Sequence, residues 1–393
     1  MKLLLIATMC AVIFILAAPI SAQEAKSEIT EARAQHALVS KLDSLIPSSL
    51  AKHSAPGAAV AVVENGRIIL TRGYGYSDVN GRKPMTDRTL LNVASVSKLV
   101  GSWGVMRLVQ EHRLDLDAPV FSFLHRWSFP QTSFDINQVT ARRLLSHTAG
   151  VNMPSVPWFP LASSSPTLEE VLHGSVNTQP LRLISSPGST WAYSGGGYTL
   201  LQLAMEQITA SGLETVMGRY VFKPLGMKSA TFNPDPKSPQ LARFYDEKGK
   251  ATGPFRYVGE MAGGLYASAR DLGALLAEYP KAASGRSRVL SKLTFELMVT
   301  PVAKVTLKDD NGKAVDTGDA EDGLGHFIHR TRDGKVLVYH SGGNPGARAY
   351  FIEEPTGGNG LFAVVNSDNG GPVLVDILTA WATSRNFDLP VLF

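Results

Sequence analysis

The stretch Gly57–Gly81, "GAAVAVVENGRIILTRGYGYSDVNG", decides how the rest of the chain is read. Two runs rich in β-branched and apolar residues flank Asn65-Gly66, a dipeptide suited to the two positive-φ positions of a tight hairpin. An isolated hairpin is not stable in water, so this one needs further strands. They lie at the far end of the chain: "GLGHFIHR" (323–330), "KVLVYHSGG" (335–343), "ARAYFIEEP" (347–355) and "LFAVVNSD" (361–368), separated by turn clusters at Asp333-Gly334 and Gly357-Gly358-Asn359-Gly360. Consecutive hairpins favour antiparallel pairing. The pattern predicts an α/β chain of α+β type, one domain over about 23–393. Its sheet subdomain is built from both chain ends (about 23–90 and 290–393), with a mostly helical subdomain (about 91–289) inserted between them.

Outside the sheet, residues 27–46 carry a Leu38, Leu42, Leu45 stripe that predicts a helix, which Pro47 ends or restarts as a short turn. "VLVDILTAWATSRN" (373–386) predicts a closing amphipathic helix. "PSVPWFPLASSSP" (154–166) reads as the longest loop of the helical block, and "KDDNGKAVDTGDAEDG" (308–323) as a polar surface loop.

The N-terminus has Lys2, an apolar run, then Ser21 and Ala22. This predicts a secretory signal peptide over 1–22, cleaved after Ala22, and a secreted, periplasmic mature protein; an uncleaved anchor is the alternative. Cys10 is the single cysteine and lies inside that segment, behind Met9, which departs from a lipoprotein signal. The mature chain would then hold neither thiol nor disulfide, excluding cysteine catalysis and thiolate metal sites. The formal net charge of +4 is spread without a basic run, so no nucleic-acid partner is expected. No later segment is long and apolar enough to span a bilayer.

Ser-x-x-Lys occurs twice, as Ser49/Lys52 and Ser95/Lys98. The first follows Pro47 in a short turn, where a cation simply suits the negative end of the dipole, and reads as structural. Ser95 stands where a longer helix should begin, so the dipole would favour negative charge developing on its hydroxyl. Lys98 lies one turn on, flanked by Val96, Leu99 and Val100, and burial there would lower its pKa. Either Ser95 is a nucleophile beside its base, or it is a helix cap next to a solvated lysine. Tyr193 sits in a Gly-rich turn before a helix. It is either a second candidate base, its phenoxide favoured beside a cation, or an aromatic plug. Gly342 and Gly343 follow strand residues Val336–His340, and glycine in a strand often marks close approach by a ligand. His340 would then be a hydrogen-bonding or cationic group, or an ordinary strand histidine.

Together these segments resemble the serine β-lactamase and penicillin-binding-protein family, above all its class C branch, which includes D-alanyl-D-alanine carboxypeptidases and family VIII esterases. The resemblance runs from about Pro56 to the C-terminus through "RGYGYSD", "PMTDRTLLNVASVSK", "LVQEHRLDLDAPV", "RRLLSHTAG", "YSGGGYTLLQLA", "AGGLYASARDLGALL" and "HSGG", in family order. It implies an acyl-enzyme hydrolase without cofactor or metal, acting on a β-lactam, an ester or a peptidoglycan peptide. By the same resemblance Ser95 would be the nucleophile, Lys98 its partner and Tyr193 a general base or proton relay. The backbone N–H groups of Ser95 and Gly343 would form the oxyanion hole, and His340, Ser341, Gly342 and Gly195 would contact substrate. His147 in "SHTAG" is expected to be structural. Two positions depart from the family. Its Tyr-x-Asn reads Tyr193-Ser194-Gly195, which removes an amide that contacts substrate and lysine. Its Lys-Thr-Gly reads His340-Ser341-Gly342, with a histidine only partly charged near neutral pH.

Other readings are weaker. "HSGG" resembles a serine-protease surround, but the helical middle does not suit a double β-barrel. No G-x-S-x-G elbow occurs. His326 and His329 alternate across a strand, which disfavours a metal site. A protein that binds penicillin or peptidoglycan peptides without turnover is the alternative of a different class.

Overall fold

The protein is described from a computed structural model, which covers residues 22–153, 155–174, 178–307 and 313–390. The expected signal segment before Ala22, with Cys10, and residues 308–312 of the polar 308–323 stretch lie outside the described residues. Among the described residues no helix is long and apolar enough to cross a membrane.

A nine-stranded sheet organises the chain. Its strands are β1 (Gly57–Glu64), β2 (Arg67–Asp78), β3 (Lys83–Pro84), β4 (Ala303–Lys304), β5 (Glu321–Asp322), β6 (Phe327–Arg330), β7 (Val336–Asn344), β8 (Ala347–Glu354) and β9 (Asn359–Val365). The spatial order is β4-β5-β6-β7-β8-β9-β1-β2-β3. Strand β1 pairs antiparallel with β9 at Ala58↔Val365 through Val63↔Gly360, which joins the two chain ends as expected. Asn65 (φ 48°) and Gly66 (φ 72°) form the anticipated turn.

Alternation along the strands sorts side chains onto two faces. Ala59, Ala61, Val63, Phe351, Phe362 and Val364 pack with the helical block, including α2 (Val96–Gln110). Ala58, Val60, Val62, Ile352, Leu361 and Ala363 pack with α1 (Ala22–Lys52) and with the C-terminal helix Gly370–Arg385. Helix α1 corrects one expectation, since it runs through Pro47 to Lys52 without a break. Its buried stripe is Leu38, Leu42, Ile46 and Leu50, and Leu45 is only half-buried. Burying that longer stripe on the sheet outweighs the one helical hydrogen bond proline cannot make.

Two loops also carry more structure than expected. Trp158–Pro160, inside the 154–166 stretch, pairs with Phe255–Tyr257 in a short ribbon. The 308–323 stretch ends in β5, where Asp322 is buried and its Oδ2 accepts a hydrogen bond from Trp191 Nε1 at 2.7 Å. A polar composition hid this strand because its pairing, with β4 on one side and β6 on the other, is through the backbone.

Candidate active site

The turn before α2 presents Ser95. Ala94 adopts a left-handed conformation (φ 47°), which a non-glycine residue holds only when its surroundings fix it. Asn92 and Ser97 supply that fixing. Asn92 Oδ1 accepts from the Ala94 N–H (3.1 Å), and Asn92 Nδ2 donates to the carbonyls of Gly263 (3.1 Å) and Leu265 (3.2 Å). Ser97 Oγ donates to the Ala94 carbonyl and accepts from the Leu265 N–H at 3.0 Å.

Ser95 occupies the N-cap position of α2, yet its side chain caps nothing. Its Oγ instead accepts from Lys98 Nζ at 3.2 Å. Lys98 is 2% exposed, and Nζ also donates to the Ala262 carbonyl at 2.6 Å. The arrangement of a capping serine beside a solvated lysine is therefore absent. Burial disfavours the ammonium and brings the Lys98 pKa down to about 7. Ser49, by contrast, is buried under the C-terminal helix and donates to Asp376 Oδ2 at 2.6 Å, with Lys52 exposed.

Tyr193 is held from both sides by His147. The Ala192 N–H donates to the His147 carbonyl (2.8 Å) and the Ser194 N–H to His147 Nδ1 (3.0 Å). The His147 and Tyr193 ring centroids lie 4.4 Å apart. Ser194 then caps α3 (Gly195–Thr209), its Oγ accepting from the Gly197 N–H. Burial, together with the nearby Lys98 and His340, pushes the His147 pKa well below the usual imidazole range, so its ring braces Tyr193 in the neutral form. Lys98 Nζ stands over the Tyr193 ring, 4.7 Å from its centroid.

That geometry corrects the expected phenoxide. Burial pushes the Tyr193 pKa upward, and only its side-chain hydrogen bond with Ser95 works the other way. The amine meets the face of the ring and its own charge is suppressed by burial, so the Ser95 hydrogen bond alone does not offset burial at the hydroxyl.

Strand β7 brings the third group, with two further corrections. Strand β6 pairs with β7 only as far as Phe327↔Tyr339, so His340–Asn344 extend beyond it. His340 is 3% exposed, with Nδ1 donating to the Ser341 carbonyl at 2.6 Å. Burial, then Lys98, lowers its pKa to about 3, so it is neutral rather than partly charged near pH 7. Gly342 does allow a close backbone approach, but by the protein itself: a Cβ there would lie 2.7 Å from the Val93 carbonyl oxygen and 3.0 Å from the Ser95 nitrogen.

A cavity of about 280 Å³ is lined by Ser95, Lys98, Tyr193, Gly195, Ala262, Gly263, Gly343 and Asn344. It brings together five of the expected residues. His340, Ser341 and Gly342 do not line it, and Ser341 and Gly342 line, together with Gly343, a second cavity. Asn344, not singled out from the sequence, donates to Asn92 Oδ1 (2.7 Å) and the Gly263 carbonyl (2.9 Å). It lies two residues from Gly342, on the same strand face, and that spacing is the signal by which it could have been found. Trp158, 47% exposed, closes the rim.

His326 is buried, its Nε2 2.6 Å from the Tyr279 hydroxyl, whereas His329 meets Asp388 at 3.2 Å; the pair does not converge. Among the described residues no group of three or more His, Cys, Asp or Glu side chains could hold a metal ion.

The family model described as "Beta-lactamase" matches residues 42–383. Among curated relatives, protein flp of Staphylococcus aureus (strain MW2) is 27% identical over 192 residues, covering 49% of this chain and 38% of that protein. Esterase EstB of Burkholderia gladioli is 28% identical over 207 residues, covering 50% of this chain and 52% of that protein. The chain thus matches about half or less of the length of these relatives. Among solved structures, the octameric penicillin-binding protein homologue from Pyrococcus abyssi superposes with TM-score 0.75 at 26% identity, covering 88% of this chain and 77% of that one. A β-lactamase/D-alanine carboxypeptidase from Pseudomonas syringae shares the fold, with TM-score 0.69 at 17% identity over 87% of this chain and 98% of that one.

Proposed function

The chain belongs to the β-lactamase family, a family of serine hydrolases, and from that premise we propose that it is an acyl-enzyme hydrolase acting best on carboxylic esters. The observation that carries this reading is the 3.2 Å contact between Lys98 Nζ and Ser95 Oγ, with the amine buried and its pKa brought to about 7. A neutral amine at that distance accepts the serine proton as Oγ attacks the ester carbonyl. The C–O bond to the alcohol breaks, and the alcohol leaves with the proton returned from Lys98. Water then adds to the acyl-enzyme, giving its proton to Lys98, and the carboxylic acid departs as Ser95 is restored. The N–H groups of Ser95 and Gly343 are the proposed oxyanion donors, aided by the N-terminus of α2. Tyr193, protonated, hydrogen-bonds Ser95 and relays the proton to the leaving group.

The preference for esters follows from what the cavity lacks. Gly195 offers no amide, and His340 carries no charge for a carboxylate. An activated ester needs only nucleophile, base and oxyanion donors. In this reading residues 1–22 export the protein, which cell fractionation checks.

A panel of nitrocefin, a D-Ala-D-Ala peptide and short-chain p-nitrophenyl esters tests the assignment. Ester turnover at least equal to that of the β-lactam is expected, with a covalent serine probe labelling Ser95 in the wild type and nothing in Ser95→Ala. Persistent labelling in Ser95→Ala, or penicillin hydrolysis with no ester cleavage, overturns it.

A further inference from the structure

Gly343 lines two cavities. One holds Ser95 and Lys98; the other, about 400 Å³, lies between β7, β8 and the C-terminal helix Gly370–Arg385, here α4. The second cavity is walled by Ala349, Tyr350, Leu374, Val375 and Leu378. Val375 is 44% exposed, so an apolar surface faces solvent within one bare glycine of the reactive serine. We propose that this second cavity is the subsite for a neutral aliphatic chain on the substrate ester, an inference that rests on the ester hydrolase reading and names its substrate class.

The single formal charge at the cavity favours a neutral occupant over an anion. Arg348 borders it, but Nη2 is already paired with Asp368 Oδ1 at 2.9 Å, and Nη1 donates to the carbonyls of Asn344 and Ala347, both at 2.8 Å. The guanidinium is thus committed to the protein, and a carboxylate-tailed ligand would have to displace Asp368. A chain can cross from one cavity to the other because Gly343 is exposed and without side chain. The nearest atoms to a Cβ there are those of Arg348, at 3.9 Å. Gly371, on the far wall, likewise has nothing within 4 Å of a would-be Cβ, so a larger residue can be placed at the cavity wall without a clash at its Cβ.

Each methylene that leaves water for this subsite should raise kcat/KM roughly fourfold, the equivalent of about 0.8 kcal/mol per buried CH2. In a p-nitrophenyl series from acetate to octanoate, kcat/KM is expected to climb with chain length in the wild type. In Gly371→Phe the climb should flatten while acetate turnover stays unchanged. A wild-type profile without a climb, or an equal climb in Gly371→Phe, overturns the subsite while leaving the hydrolase reading in place. Better turnover of a carboxylate-tailed acyl ester than of its neutral equivalent overturns it too. Absence of turnover even on acetate is instead a failure of the hydrolase reading. The subsite is then read from binding of methyl octanoate to Ser95→Ala by calorimetry: saturable binding lost in Ser95→Ala/Gly371→Phe is expected, and no binding overturns the inference.

Discussion

Lys98 Nζ stands 4.7 Å from the centroid of the Tyr193 ring, over its face, while reaching Ser95 Oγ at 3.2 Å. The geometry separates two groups that could each have served as base. A cation on the ring face would gain from the quadrupole of the π system and would by its charge favour the phenoxide, but a neutral amine does neither. Burial acts on both groups and favours the neutral form of each: it lowers the lysine pKa to about 7 and raises that of the tyrosine. A neutral amine accepts a proton, whereas a neutral phenol donates one. In the proposed mechanism burial thus makes Lys98 the acceptor and Tyr193 the donor.

Ester turnover should therefore fall on the acid side with a midpoint near pH 7. The active form is the neutral amine, so activity rises as pH passes upward through the Lys98 pKa. Lys98→Ala is expected to lower kcat/KM by roughly 10²–10⁴-fold, the usual contribution of a positioned proton acceptor. Lys98→Arg should not rescue it, because a guanidinium stays protonated. A pH–rate profile of wild type and both variants checks this; near-normal activity in Lys98→Arg would remove Lys98 as base.

Tyr193→Phe keeps the ring beneath the amine and deletes only the hydroxyl that meets Ser95. The expected loss in kcat/KM is about 3–10-fold, the scale of one hydrogen bond, with the acid-side midpoint unmoved. A loss of several orders of magnitude with the acid limb abolished would instead make the tyrosine the base.

Most of the fold was legible because it rests on period-two alternation and on Asn65-Gly66, both local signals. Ser95 and Lys98 were legible as neighbours from their spacing of one helical turn, whereas Tyr193 joined them only through family resemblance, since a segment far away in sequence cannot announce its contact by spacing. What stayed hidden depends on tertiary burial. The charge states of Tyr193 and His340 are set by what packs around them, which strand patterning does not specify. Pro47 misled because local propensity yields to a long buried stripe. Asn92 and Asn344 went unnoticed because their role is to hydrogen-bond each other and residues 263–265, a relation without sequence periodicity.

Gly342 and Gly343 are neighbours with opposite requirements. Alanine at 342 would press its Cβ against the Val93 carbonyl and the Ser95 nitrogen, both backbone atoms that cannot swing aside. Gly342→Ala is expected to destabilise the protein by about 1–3 kcal/mol and to displace Ser95, lowering both Tm and kcat/KM. Gly343→Ala, with Arg348 no nearer than 3.9 Å, should leave Tm close to wild type. Thermal unfolding of the two variants side by side checks the contrast, and equal Tm values would refute it.

His340 provides the last test, in stability as well as in specificity. Its folded pKa of about 3 lies below the ordinary 6.5, because burial disfavours the imidazolium. A buried neutral histidine contributes stability fully above pH 6.5. Below that the unfolded chain takes up a proton that the folded one refuses, so the contribution is lost progressively as pH falls toward 3. His340→Gln should therefore weaken the acid sensitivity of unfolding over that window, by an amount on the order of a few kcal/mol. The same neutrality fixes a kinetic outcome. Between pH 8 and 5, the ratio of kcat/KM for a carboxylate-bearing substrate to that for a neutral ester should stay flat, since Lys98 and Tyr193 act on both and no charge appears at His340. A ratio that climbs as pH falls through 6 would show His340 gaining a proton in the folded protein, and would return it to the role of a carboxylate anchor.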